Sequence, residues 1–517
     1  MKYKILWADD EIEFLRPHIM FLDDKGYEVT CVTNGEDAVQ LSREKHFDII
    51  FLDEQMPGIG GLAALSEIKT ITPATPIVMI TKNEEEAIME KAIGRKISEY
   101  LIKPVNPNQI LLACKKLLQA ERIKADAASR DYIQEFNRIS QQLMMPMEAA
   151  DWLGIHERLS QWEVELDEHP NTGLRQTLMD QKKECNLEFS KYVEKRYLDW
   201  CNSEKDNRPM LSVDVLEKKI VPELDSGKPI FMFVVDCLRY DQWLVMEKLL
   251  QPFFNVEHDF YMSILPSATP YARNAIFSGF FPTDIEKRHP DLWAASEEDE
   301  HSKNRYEKEF MEDFFRRRRI TVKDIKYTKL INADESRTYE QNIMGQMKNQ
   351  LNAIVVNFVD ILAHSRADSQ VIKEISPDES AYRSLTQTWF EHSSFFRMLK
   401  TLSQQDATVI ITTDHGSIRC LRSAKVIGDR EASTNLRYKF GRNLQCEPKN
   451  ALYIKDPQTY RLPSHGVNMN YIIAKEDFYF VYPTNFHKYV NQYRDSYQHG
   501  GISLDEMVVP IVKLTRK

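Results

Sequence analysis

The chain has 517 residues, of which 42% are hydrophobic and 28% charged. That length excludes a single small module and suits roughly three to five folding units, and the ordinary globular composition excludes disorder as the default. With 68 Lys and Arg against 78 Asp and Glu the net charge is -10, which excludes a uniformly basic coat for nucleic acid. The imbalance sits at the front, where residues 1–106 carry 12 Lys and Arg against 19 Asp and Glu.

The segment before Asp9 is too short in apolar residues for a secretory signal, and no uncharged apolar stretch reaches the roughly 18 residues of a membrane span. Seven scattered cysteines without a CxxC pair do not suit a disulfide framework, so reduced thiols in a soluble, cytoplasmic protein without membrane insertion are expected.

In chain order, Lys4 to Trp7, Tyr27 to Val32, Asp48 to Leu52, Pro76 to Ile80 and Glu99 to Ile102 read as five strands. The stretches Ile12 to Asp24 and Gly35 to Lys45 between them carry helical spacing, and the sum predicts a doubly wound α/β sheet. Asp9, Asp10, Asp53, Thr81 and Lys103 fall at strand ends, which meet in one crevice at the carboxyl edge of such a sheet. Crowded carboxylates call for a hard cation such as Mg²⁺, and the set suits an acyl phosphate on Asp53. The runs Ala8-Asp9-Asp10-Glu11, Leu52-Asp53-Glu54-Gln55-Met56-Pro57-Gly58, Thr81 and Tyr100-Leu101-Ile102-Lys103-Pro104 resemble the receiver domain of two-component response regulators. The resemblance implies Asp53 as phosphoacceptor, Asp9, Asp10 and Asp53 as ligands of one Mg²⁺, and Lys103 and Thr81 on the phosphoryl group. It implies Tyr100 as the aromatic that repositions with Thr81.

From Pro107 to about Asp225 the strand signal vanishes. Apolar Ile133, Phe136, Ile139 and Leu143 recur at helical spacing, with breaks at Pro146 and Pro170, so a helical module is expected. Near-continuous apolar runs return at Pro229 to Val235, Ala353 to Val359, Thr408 to Thr413 and Met507 to Leu514, as for strands buried on both faces of a larger mixed sheet. Three of them read as strands ending in an acid, at Asp236, Asp360 and Asp414. With His364, His415 and His499 they give a ligand mixture that Zn²⁺ or Mn²⁺ accepts, too large for one ion and suited to two about 4 Å apart. The His499-Gly500-Gly501 glycines would allow close backbone approach. A hydroxyl in Pro266-Ser267-Ala268-Thr269-Pro270, read as a loop opening a helix, is the candidate nucleophile.

This half resembles the alkaline-phosphatase superfamily and, within it, the PglZ domain. The order Asp236, Thr269, Asp360 with His364, Asp414-His415-Gly416 and His499-Gly500-Gly501 carries the resemblance, as does Asp236-Cys237-Leu238-Arg239-Tyr240-Asp241. It implies Thr269, rather than Ser267, as nucleophile bridging two zinc ions, one on Asp360, His364 and His499 and the other on Asp236, Asp414 and His415. Ala363 departs from the Gly that many members have there. His289, His301 and His465 read as ordinary histidines, and Arg316 to Arg319 as a solvated helix face. Asn274, Arg437 and Lys439 are candidate substrate contacts, since cations beside an aromatic suit a base and its phosphate.

The expected architecture is therefore a receiver over 1–120, a helical linker over 121–225 and a PglZ domain over 226–517. The whole resembles PorX-type response regulators of type IX secretion. That resemblance implies phosphorylation by a sensor histidine kinase, a zinc-dependent phosphodiesterase acting on oligonucleotides or nucleotides, and a homodimer on phosphorylation. The alternative is a metal-containing scaffold whose carboxyl-terminal domain binds a transcription or secretion partner without turnover.

Overall fold

In the computed structural model the described residues are 2–82, 97–294, 304–428, 435–464, 468–484 and 486–517. His301 and His465 lie outside them. The described chain divides into two compact units, Met1–Arg130 and Asp131–Lys517.

The first unit is a five-stranded parallel sheet in the order β2-β1-β3-β4-β5, from β1 (Tyr3–Ala8), β2 (Tyr27–Val32), β3 (Ile49–Asp53), β4 (Ile77–Thr81) and β5 (Glu99–Ile102). All five expected strands form. Ile5, Trp7, Ile49, Phe51, Val78 and Ile80 pack into one core, while Leu6, Ala8, Ile50, Leu52, Ile77 and Met79 pack into another. That period of two is why central strands read as unbroken apolar runs. Helix Gly35–Glu44 starts where the Asn34 side chain accepts from Asp37 N, and Pro107–Leu118 starts on a capping box of Asn106 and Gln109. The expected first helix divides into a 3₁₀ turn, Ile12–Leu15, and an α-helix, Arg16–Asp24, with Pro at its start.

In the second unit, helices Ala149–Glu168 and Arg175–Asn202 do not form a core of their own. Trp152, Leu159, Phe189 and Trp200 share one apolar cluster with Phe231, Phe233, Val409 and Val512 of the large sheet. That sheet uses β6 (Ile230–Val235), β7 (Phe254–Met262), β8 (Ile325–Leu330), β9 (Leu351–Val356), β10 (Thr408–Thr412) and the final strand, Val508–Arg516. Its order is β7, final strand, β10, β6, β9, β8. The last four are parallel, and the final strand is antiparallel to both its neighbours. Central β6 pairs with β10 on one side and β9 on the other, so a crevice opens at its carboxyl end.

One expected strand end needs correction. The run Ala353 to Val359 stops as a strand at Val356, and helix Phe358–Asp368 begins two residues later. Asp360 therefore lies in a first helical turn, with His364 one turn on along the same face. Among the described residues no helix is long and apolar enough to cross a membrane.

Candidate functional site

In the first unit Asp9, Asp10 and Asp53 offer carboxylate oxygens that all lie within 4.8 Å of one another. Lys103 Nζ stands 2.7 Å from Asp53 Oδ2 and 3.0 Å from Asp9 Oδ2. Burial raises the Asp53 carboxyl above its ordinary value despite Lys103. Asp9 and Asp53 are buried, Asp10 is exposed, and Thr81 donates its hydroxyl to Glu54. Tyr100 lies half-buried on β5.

In the second unit the crevice beside β6 collects six side chains from distant segments. Asp236 directly follows β6, Asp414 and His415 follow β10, Asp360 and His364 come from the helix after β9, and His499 precedes the final strand. Two groups result, Asp360 with His364 and His499, and Asp236 with Asp414 and His415, each with its ligand atoms within 4.8 Å of one another. Asp360 Oδ1 stands 3.3 Å from His364 Nε2 and 3.5 Å from His499 Nε2, yet it is buried without a hydrogen-bond partner. Asp414 Oδ2 is likewise buried without a hydrogen bond, with His415 Nε2 at 3.7 Å and Arg273 Nη1 at 4.0 Å. Buried acceptors left unpaired are costly, and a cation between converging lone pairs removes that cost. The donor set thus fits metal ions.

The protonation states agree. Burial lowers the His415 imidazole, and burial together with His415 lowers His499, which favours the neutral rings that ligate metals. Burial and the facing Asp414 raise Asp236, and burial raises Asp414. At Asp360 burial opposes ionisation, but His364 and His499 outweigh it and hold the carboxyl well below the usual range.

Thr269 begins helix Thr269–Ser278, as its sequence suggests. Its Oγ1 lies 3.0 Å from His415 Nε2 and 3.3 Å from Asp236 Oδ1, and the His415 ring stacks on His499 at 4.3 Å between centroids. Thr269 therefore lies against one ligand group, and the stacked imidazoles link that group to the other. Ser267 points elsewhere, donating to Gly501 O. A Cβ on Gly416 would meet Asp505 O at 1.9 Å, which accounts for the glycine after His415.

The three suggested substrate contacts are corrected by burial. Arg437 is fully buried and forms a two-pronged ion pair with Glu506, Nε to Oε1 at 3.0 Å and Nη2 to Oε2 at 2.6 Å. Glu506 also accepts from Gly501 N, so Arg437 braces the His499 loop. The glycines there make room for the Arg437 and Tyr438 side chains rather than for a backbone approach. Lys439 is buried and donates to Asn435 O. Asn274 is buried, donates to Pro270 O and accepts from Asn304. The arginine run is no uniform solvated face either, since Arg317 pairs with Asp313 and lies over the Phe280 ring. His289 approaches the same Asp313 at 3.2 Å.

Sequence reading missed Arg273, Asn304, Glu307 and Lys329. Arg273 Nη1 reaches Asp236 Oδ2 at 2.5 Å and its Nε reaches Glu307 Oε1 at 2.6 Å. No spacing rule points to these residues, although Arg273 stands one helical turn after Thr269.

Three family matches lie end to end along this chain. They are the response regulator receiver domain over residues 5–115, the PorX response regulator linker domain over 122–201, and the BREX system PglZ alkaline phosphatase-like domain over 215–514. The last covers more than half of the chain. The chain belongs to the PglZ alkaline phosphatase-like family, and its three matches together are those of a PorX-type response regulator. The transcriptional regulatory protein ResD of Bacillus subtilis (strain 168) is 34% identical over 116 residues, which are 22% of this chain and 48% of ResD. The alginate biosynthesis transcriptional regulatory protein AlgB of Pseudomonas syringae pv. tomato is 31% identical over 122 residues, 24% of this chain and 27% of AlgB. The chain spans about half or less of the length of these curated relatives. Among solved structures, the chemotaxis response regulator CheY4 of Vibrio cholerae is similar at 27% identity and a TM-score of 0.22, covering 23% of this chain and 100% of that one.

Proposed function

We propose that the PglZ region of this response regulator is a two-zinc phosphodiesterase acting on oligonucleotides, controlled by phosphorylation of Asp53. The observation that carries the reading is Thr269 Oγ1 lying 3.0 Å from His415 Nε2, beside two three-ligand groups. Asp360, His364 and His499 would hold one ion, and Asp236, Asp414 and His415 the other. When bound, the ions stabilise the charge that develops on the phosphoryl oxygens and lower the cost of ionising a hydroxyl. Thr269 gives its proton to solvent. Its Oγ1 then bonds to phosphorus as the bond to the leaving ester oxygen breaks, and that oxygen takes a proton from water. Water next cleaves the phosphothreonine and returns the hydroxyl. Arg273 holds the Asp236 carboxylate through these steps.

In the receiver, Asp9, Asp10 and Asp53 would hold Mg²⁺ while a sensor histidine kinase phosphorylates Asp53. Lys103 and Thr81 then contact the phosphoryl oxygens, Tyr100 repositions, and the chain pairs as a homodimer. The PorX-type set of matches supports a role in type IX secretion.

Hydrolysis of bis(p-nitrophenyl) phosphate and p-nitrophenyl phosphate by the full chain tests the reading. We expect the diester to be cleaved faster, with activity lost on chelation and restored by zinc. Absence of chelator-sensitive hydrolysis would leave the metal-bound scaffold, and a monoester preference would make the domain a phosphatase.

A further inference from the structure

The cleft over Thr269 has a volume of about 970 Å³, and Arg273 and Lys329 are the basic side chains of its described lining. They are committed differently. Arg273 is 2% exposed and spent on Asp236 and Glu307. Lys329, near the end of β8, keeps 24% of its side chain exposed. It donates to Asn304 O at 2.8 Å and stands 3.7 Å from Glu307 Oε2. That Glu307 carboxylate already accepts from Arg273, Asn304 and Tyr327. An ammonium has three donors, so Lys329 keeps at least one for a ligand.

Asn304 joins this lysine to the proposed nucleophile. Its Nδ2 donates to Thr269 O at 3.1 Å, while its own carbonyl accepts from Lys329. Two exposed apolar side chains line the same cleft, Ile331 at 53% and Ile361 at 43% exposure. The cations that sequence alone singled out, Arg437 and Lys439, are both buried.

We propose that Lys329 is a substrate-binding residue that takes an anionic oxygen of the phosphate ester, with Ile331 and Ile361 receiving an apolar face of the esterifying group. The inference rests on the phosphoester reading above. A lysine suits the place because its compact charge serves phosphate from a range of angles, where Arg273 is fixed by its two carboxylates. The polar and apolar walls would sort substrates. Of these two walls free phosphate uses only Lys329, whereas an aromatic or nucleoside ester uses both.

The test compares Lys329→Gln and Lys329→Arg in the full-length, zinc-loaded protein. Binding of inorganic phosphate is read by calorimetry, and turnover of bis(p-nitrophenyl) phosphate by absorbance. We expect Lys329→Gln to keep its zinc and to weaken phosphate binding and raise KM by about tenfold or more, as for loss of one charge-assisted hydrogen bond. The drop in kcat should be smaller, and Lys329→Arg should recover most of the affinity. Ile361→Ser should raise KM for the diester more than it weakens phosphate binding. A phosphate affinity and KM within about twofold of wild type in Lys329→Gln would overturn the proposal. Phosphate binding that depends on Lys329 without any turnover would uphold it and sink the hydrolase reading. Normal turnover by Lys329→Gln would do the reverse.

Discussion

The two acid clusters of this chain sit at the carboxyl ends of two parallel sheets, yet their charge is balanced in opposite ways. In the receiver, Lys103 lies within 3.0 Å of both Asp9 and Asp53, and Asp10 faces solvent. An internal cation and an exposed edge acid suit the proposed gain and loss of a phosphoryl group on Asp53 beside a weakly held Mg²⁺. In the PglZ region, Asp236 and Asp414 are buried, and Arg273 is shared between Asp236 and Glu307. Imidazoles replace the lysine as neighbours, and nitrogen ligands favour zinc over magnesium. One lysine thus serves both buried acids of the receiver, whereas in the PglZ region Arg273 reaches Asp236 and imidazoles face Asp360.

The largest effects come from removing the one acceptor oxygen in each region. Thr269→Ala should lower diester turnover by roughly 10³-fold or more while keeping zinc and keeping phosphate incorporation from acetyl phosphate. Asp53→Ala should show the converse, with no incorporation and full zinc. Undiminished labelling of Asp53→Ala, or hydrolysis at the wild-type rate by Thr269→Ala, would break the division of labour.

The metals give a smaller and graded contrast. Elemental analysis should find about two zinc ions per chain, surviving a desalting step that strips Mg²⁺ from the receiver. His364 is 51% exposed whereas His415 is fully buried, so the ion on Asp360, His364 and His499 should leave first during chelation. His364→Ala and His499→Ala should each lose about one zinc. Full content in both would contradict the grouping.

The difference between the two regions also sets what could be read from sequence. The receiver acids stand in short, local frames, so all the strands and the whole Asp9, Asp10, Asp53 and Lys103 set were legible. In the PglZ region the acids after β6 and β10 were legible because an apolar run ends abruptly in a carboxylate. Asp360 was misplaced because Phe358 and Val359 continue that apolar pattern into the first turn of a helix. Arg437 was misread because its partner, Glu506, is 69 residues away, and no local pattern announces a buried ion pair. Arg273, Asn304 and Lys329 carry no motif. They meet only when the helix after Thr269, the segment before Glu307 and edge strand β8 pack together.

A last difference lies in acid response. His156, in helix Ala149–Glu168, is 1% exposed with neither ring nitrogen hydrogen-bonded, and burial pushes its pKa down to about 4 against the pull of Asp505. The receiver's described histidines, His18 and His46, are not fully buried. Between about pH 6.5 and 4 the unfolded chain binds a proton at residue 156 that the native chain refuses. The stabilisation is whole above pH 6.5, falls as pH drops and is gone near pH 4, to the extent of ~3 kcal/mol. Glu163, raised by burial, has the opposite sign, so the stability curve of wild type alone will not display the histidine. The difference between His156→Leu and wild type will, because Glu163 is present in both. Urea unfolding of the two proteins from pH 7 to 4.5 should show the variant gaining steadily on wild type as pH falls, while the receiver's own transition stays common to both. A difference independent of pH would mean that His156 binds its proton equally in the native and unfolded chains, and the contrast in acid response between the two units would lose its basis.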